Sequence, residues 1–318
     1  MLKQALRVAF KNLPVKIKSI GIFTDRDLDQ KVRMAYDGPD EPRVQALVQR
    51  FESLRNTSAL APPAKVALIY GCASTPPKHF KMIKRLSEYG FFRAGGILIG
   101  SHAFLAMGNM LGVQWNDGAA TLDVDFAHAG NNVSLALPSN INIDVHDALT
   151  SLKMGLLPIT QFNGKLGGQY RNPQDAELRL DFLTSNNSSG LPVHIPKLNL
   201  TLQPLKFIEY SLQNTTQTCV ISKIGACIVI IPAPERYAVH KLIVFGERTI
   251  AERTKSIKDL LQAASLISYF LNNAQSESFN SAWQDALSRG KGWQTRALQG
   301  KAALLKMAPD LNPIELWK

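Results

Sequence analysis

Two aspartates, Asp123 and Asp125, stand two apart in the stretch TLDVDF, and a third, Asp181, sits in a similar setting in LRLDFL. On a strand successive side chains point to opposite faces. Asp123 and Asp125 therefore share one side, while Leu122, Val124 and Phe126 take the other. Their side-chain origins are then ~7 Å apart, since each residue rises ~3.3 Å. Carboxylates so placed repel each other, and a cation relieves the repulsion. Magnesium takes oxygen ligands and commonly binds one or two carboxylates together with substrate phosphates. Two such ions clamp the attacking and leaving oxygens in phosphoryl transfer. Asp181 has the alternation needed to complete the donor set from a neighbouring strand. The plain alternative is a pair of solvent-facing aspartates on an edge strand.

Gly100-Ser101 follows the apolar run GGILIG and precedes the helical pattern SHAFLAMGNMLG, which Gly112 closes. Glycine lets a phosphate approach the backbone, and N–H groups with a serine hydroxyl at a helix start can hold it. Ser101 can equally serve as a helix cap. The order carries more than either motif alone: strand, Gly-Ser, helix, strand with Asp-x-Asp, later strand with Asp. Other candidates have simpler explanations. Asp144, His146 and Asp147 resemble a metal cluster on paper, but Asp144 capping a helix accounts for them. His102 lies next to Ser101 without a nucleophile elbow. NGKLGGQYRN is glycine-rich, lacks a phosphate-loop pattern and reads as a hairpin turn. Trp283 and Trp293 near Arg289 and Lys291 have the composition of a base-stacking patch, and helical packing is the alternative.

These side chains need a mixed scaffold. TLDVDF and ELRLDFLTS alternate as strands, the latter with Leu178, Leu180 and Phe182 opposite Arg179 and Asp181. KFIEYSL, TQTCVIS and ACIVIIP also read as strands. PPKHFKMIKRLSEYG reads as an amphipathic helix ended by Gly90, with Lys78, Lys81, Lys84 and Arg85 on one side. That side is either a solvated face or a basic wall beside a phosphate site. ERYAVHKLIVFGER reads as a helix, and helical patterns continue from Thr254 to the end. DEPRVQALVQRFESLRN predicts an earlier helix with Asp40 as its cap, and Pro62-Pro63 mark a boundary after it. The expected organisation is a helical N-terminal segment over 1–62, an α/β domain over 63–250 with a mixed sheet flanked by helices, and a helical C-terminal domain over 251–318.

The chain has 318 residues, 45% of them hydrophobic and 19% charged, as expected of an ordinary globular protein. Its net charge of +11 favours polyanionic partners, although the excess is spread along the chain. Cys72, Cys219 and Cys227 are odd in number and lack zinc spacing, so free thiols in a reducing compartment are expected. The apolar stretches fall well short of a membrane span of ~20 residues. A soluble cytoplasmic protein is the expectation.

Ile99-Gly100-Ser101, Asp123-Val124-Asp125 and Asp181, in that order, resemble the core motif of the DNA polymerase β-like nucleotidyltransferase superfamily. LIGSHAF, LGVQW and TLDVDF look especially like bacterial nucleotidyltransferase-like proteins. VIIPAPERYAVHKLIVFGER and KSIKDLLQAASLI also resemble later segments of nucleotidyltransferase toxins from toxin–antitoxin pairs. The resemblance covers about residues 75–265. Ser101 and Asp123 are 22 positions apart, longer than the superfamily's compact spacing, and QWNDGAA supplies loop residues to absorb the excess. The resemblance implies that Asp123 and Asp125 bind two magnesium ions, or manganese in their place, with the triphosphate of an NTP. It implies that Asp181 ligates one metal and helps deprotonate the acceptor hydroxyl, and that Gly100 and Ser101 hold the terminal phosphates. Lys241 matches a basic position in the related helix from which an ammonium reaches phosphate; a solvated lysine is the alternative. The implied reaction moves a nucleotidyl group to an acceptor, RNA or tRNA by charge balance, or a protein hydroxyl. A non-catalytic regulatory or toxin–antitoxin partner is the remaining reading.

Overall fold

Contacts along the chain separate Met1–Ala61 from Pro62–Lys318. The structure is a computed structural model and describes residues 22–26, 32–36, 60–115, 123–129, 143–160, 166–185, 190–249 and 252–318. In the first unit the described residues form a hairpin, β1 (Ile22–Arg26) antiparallel to β2 (Val32–Tyr36). The helix expected over 40–56 lies outside the described residues. The helices beyond 251 belong to the same unit as the sheet and pack on the helix that precedes them.

Helix α1 (Ala61–Ile69) begins at the boundary, and all but its first residue belong to the second unit. Pro62 and Pro63 sit in its first turn, where a missing N–H breaks no helical hydrogen bond. Helix α2 (Pro77–Glu88) buries Phe80, Ile83 and Leu86 at helical spacing, with His79 and Met82 beside them. Strand β3 (Gly96–Ile99) runs straight into α3 (Gly100–Leu111), which ends on Gly112 in the left-handed region. Strand β4 (Asp123–His128) follows, then α4 (Val145–Thr150), whose cap Asp144 accepts from the Asp147 N–H at 2.8 Å. Strands β5 (Leu157–Thr160), β6 (Leu166–Asn172), β7 (Asp175–Ser185), β8 (Val193–Ile195) and β9 (Leu200–Leu205) come next. The short helix α5 (Ile208–Leu212) precedes the hairpin β10 (Thr215–Ser222) and β11 (Gly225–Pro232). Four helices complete the chain: α6 (Pro234–Glu247), α7 (Arg253–Asn272), α8 (Ser276–Ser288) and α9 (Lys291–Met307).

The main sheet has the order β3-β4-β7-β6-β5, with β9 also on β7 and β8 on β9. Strands β4 and β7 are parallel while β3–β4 and β6–β7 are antiparallel, so the sheet is mixed as expected. One face carries Val124, Phe126, Leu180 and Phe182 into the main core. There Phe126 stacks on Phe182 at 5.3 Å, and Phe91 meets both edge-on. The other face holds Asp123, Asp125, Arg179 and Asp181, and beyond them a second apolar cluster of Ile97, Ile99, Ala127, Ala129, Ile208 and Leu212.

Two expectations need correction. KFIEYSL contains helix α5 rather than a strand, because Ile208 and Leu212, four apart, both pack on the second cluster. NGKLGGQYRN is not turn throughout: its residues from Leu166 onward form β6, antiparallel to β5, and those before Leu166 lie outside the described residues. Gly168 belongs in that strand because a Cβ there would lie 2.6 Å from the Thr201 carbonyl and 2.9 Å from that of Phe182.

Candidate active site

Strand register gathers the acidic residues. Across the parallel pair β4–β7, Asp125 is directly opposite Asp181 and Asp123 is opposite Arg179. On the other side of β4, Ile99 faces Asp125, which brings the following Gly100 against the same carboxylate. A Cβ at Gly100 would lie 2.2 Å from Asp125 Oδ2, and φ there is +63°. Glycine is thus required twice, by backbone conformation and by the closeness of the carboxylate.

The turn into α3 is held from the helical side of the molecule. The Tyr237 hydroxyl lies 2.9 Å from the Gly100 carbonyl and 2.9 Å from Gln262 Oε1. The Gln262 amide in turn reaches the buried Ser101 hydroxyl at 3.3 Å. Helix α3 starts with no side-chain cap, so Ser101 belongs to this network rather than to a cap.

The charges around the turn are unbalanced. Burial, then the Asp181 and Asp123 carboxylates, push Asp125 up from 3.8 to about 6; Lys241 and Arg179 oppose the shift. The Arg179 guanidinium donates to Asp181 through Nη2 at 2.9 Å and Nε at 3.4 Å, and its Nε is 3.9 Å from Asp123 Oδ1. Lys241 is not a solvated lysine. Its Nζ lies 2.7 Å from Asp259 Oδ1 and 5.1 Å from the centre of the Tyr237 ring. Burial disfavours its charge, but Asp259 and Tyr237 outweigh burial and its pKa is raised. Arg248 Nε takes the other Asp259 oxygen at 2.6 Å. Lys258, on α7, is close enough to feel Asp125 and Asp123; burial and then Lys241 lower its pKa.

The donor chemistry suits a hard divalent cation: three carboxylates on one sheet face, one of them with its pKa raised by burial and by its neighbours. Among the described residues no three His, Cys, Asp or Glu side chains are already gathered into a metal-binding group. The Arg179 guanidinium engages two of the three carboxylates instead.

The sequence reading did not single out Arg179, Tyr237, Lys258, Asp259 or Gln262 for this site. For Asp259 and Gln262 the signal was a polar stripe where α7 should be apolar. Ser256, Asp259 and Gln262 recur every three residues and are all buried, beside Leu260, Ala263, Leu266 and Ile267. The weaker candidates take structural roles. His102 Nε2 lies 2.9 Å from His79 Nδ1, and His79 Nε2 lies 2.8 Å from the Glu177 carbonyl. Burial lowers the His102 pKa to about 3. Trp283 is buried, and Trp293 meets Phe207 edge-on at 4.7 Å. On α2, Lys78 pairs with Asp175 and Glu177, and both Lys84 and Arg85 pair with Glu88, which fits the solvated-face alternative. Cys72, Cys219 and Cys227 are free thiols. Among the described residues no helix is long and apolar enough to cross a membrane.

Comparison with known proteins agrees with this picture at the level of the family. The model of a family described as Nucleotidyltransferase matches residues 78–288, a span that holds the acidic strands, the Gly-Ser turn and Lys241. The chain belongs to this nucleotidyltransferase family. It is also similar to the crystal structure of an antigenic nucleotidyltransferase-like protein from Paracoccidioides brasiliensis. That likeness has 16% identity and a TM-score of 0.38 over 74% of this chain and 89% of the other, and it is too loose to assign residue roles. No curated protein matches the chain.

Proposed function

We propose that the chain moves a nucleotidyl group from an NTP to an acceptor hydroxyl, the acceptor oxygen bonding to the α-phosphorus as pyrophosphate leaves, using magnesium held by Asp123, Asp125 and Asp181. The observation that carries this reading is the β4–β7 register, which sets Asp125 opposite Asp181 with Asp123 on the same face. When bound, the metal would neutralise phosphate charge and polarise the reacting oxygens. The protein's own part is positioning and charge. The Gly100 turn brings backbone close to Asp125, so a triphosphate held by the Gly100-Ser101 N–H groups would lie beside the carboxylates. Lys241 keeps its charge through Asp259 and sits close enough to Asp125 to pull on it, which suits an ammonium turned toward phosphate. Asp181, buried beside Asp125, would help take the proton of the acceptor hydroxyl. Such a site works mainly by orienting reactants and by fixed charges aimed at the developing transition state.

RNA is the favoured acceptor, and the net charge of +11 is the support for it. The pairing of Lys78, Lys84 and Arg85 with local carboxylates removes α2 as a separate support and keeps a protein hydroxyl as the second reading. Incubating the protein with α-labelled NTPs, magnesium, total RNA and total protein separates the two. Label in RNA is expected; label in protein would select the second reading. Label in neither, with Asp123→Asn indistinguishable from wild type, would leave a non-catalytic module.

A further inference from the structure

Arg179 stands where a cation would stand. It is the register partner of Asp123, shares the acidic face with Asp181 two residues on, and contacts both carboxylates. Lys241, which also acts on Asp125, has its short ion pair with Asp259 instead. The arrangement also accounts for why the three carboxylates are not already gathered into a metal-binding group. A side chain 29% exposed has room to leave.

Resting on the site proposed above, we propose that Arg179 is a resident counter-cation. It holds Asp123 and Asp181 while no metal is bound and must release at least one of them before a divalent ion enters. It thereby makes metal entry depend on a nucleotide phosphate. A guanidinium pairs with phosphate as readily as with carboxylate, in the same two-pronged geometry. An incoming triphosphate therefore offers Arg179 a new anion at the moment the metal needs the carboxylates. A purely structural ion pair would behave in the opposite way: deleting it would loosen the carboxylates and weaken metal binding.

The test uses manganese(II) binding to the full chain, read by electron paramagnetic resonance, first with Mn²⁺ alone and then with a non-hydrolysable NTP. Arg179→Met should bind Mn²⁺ alone roughly tenfold or more tightly than wild type, the direction expected when a unit positive charge is removed from within a few ångströms of the ion. The NTP should raise Mn²⁺ affinity strongly in wild type and much less in Arg179→Met. Arg179→Lys, which keeps the charge, should stay near wild type for Mn²⁺ alone. Arg179→Gln gives the same reading if the Met variant folds poorly. Unchanged or weaker binding of Mn²⁺ alone by the Met and Gln variants overturns the proposal. Failure of every form to bind Mn²⁺, with or without NTP, overturns it together with the metal site. Tighter binding in a variant whose wild type labels no acceptor supports the counter-cation role and rejects only the transfer reading.

Discussion

Two charge clusters in the larger unit are built with opposite imbalances. On the sheet, three carboxylates, Asp123, Asp125 and Asp181, stand with Arg179, which pairs with the first and the last. On the helices, one buried carboxylate serves two cations, Asp259 with Lys241 and Arg248, and the exposed Glu252 reaches Arg248 from outside. The first cluster leaves excess negative charge, which adds to burial in raising the Asp125 pKa to about 6. The second, apart from the exposed Glu252, leaves excess positive charge and depends on Asp259 to hold it. The clusters are near enough to interact, since Lys241 pulls on Asp125. A metal–triphosphate complex, cationic at one end and anionic at the other, would complete both at once. The lesson is that a ligand's polarity can be read from what each cluster lacks.

The largest effect should come from breaking the helical cluster. Asp259 is almost fully buried between two cations. Asp259→Ala strands Lys241 and leaves Arg248 with only the exposed Glu252, and removing one partner of a buried pair costs ~3–5 kcal/mol. Urea or thermal unfolding should show a loss of this size. A loss below ~1 kcal/mol would mean that Lys241 and Arg248 find other partners, and the cluster would not be the structural counterweight described above.

Next in size is the acidic cluster's chemistry. Asp181→Asn removes one charge at little change in volume, leaving Asp123, Asp125 and Ser101 to hold the metal–nucleotide complex. Nucleotide binding by titration calorimetry should largely survive. Single-turnover transfer should fall roughly a hundred- to a thousandfold, the scale of ~2.7–4 kcal/mol for one preorganised electrostatic group. Asp123→Asn and Asp125→Asn should weaken binding as well as turnover. Transfer at the wild-type rate by Asp181→Asn would remove it from the reaction.

How much of this was legible before the structure differs between the clusters for a physical reason. The sheet cluster announced itself locally: alternation assigned Asp123 and Asp125 to one face and Arg179 and Asp181 to one face, and the strands carry those faces. That Asp125 lies opposite Asp181 was not local. It depends on the parallel pairing of β4 with β7, some fifty residues apart, so the third carboxylate rested on motif order. The helical cluster was nearly silent. Lys241 was found only through resemblance, and Asp259 lay unremarked in KSIKDLL, because a helix with mixed polar and apolar faces does not say which polar residues face inward. The strand reading of KFIEYSL failed for a related reason: five residues carry too little periodicity, and burial of Ile208 and Leu212 decided the outcome.

The smallest effect sharpens the comparison most, because it asks whether the acidic imbalance stores energy in the metal-free protein. Burial first, and then Asp181 and Asp123, raise the Asp125 pKa from 3.8 to about 6. Between those values the folded protein keeps a proton that the unfolded chain has released. The native state then binds more protons than the unfolded one, and stability falls as pH rises through this window. Above about pH 6 both states are ionised and the full penalty persists; below about pH 4 both are protonated and it vanishes. Asp125→Asn cannot ionise, so it should be more stable than wild type at pH 7–8, by about 1–3 kcal/mol. That advantage should shrink steadily as pH falls from 6 to 4. The same variant should lose turnover, so stability and function would move in opposite directions at one residue. Thermal melts of both proteins in chelator across pH 4–8 measure it. A pH-independent difference between the two would mean that Arg179 already neutralises the cluster and that no charge imbalance remains on the sheet.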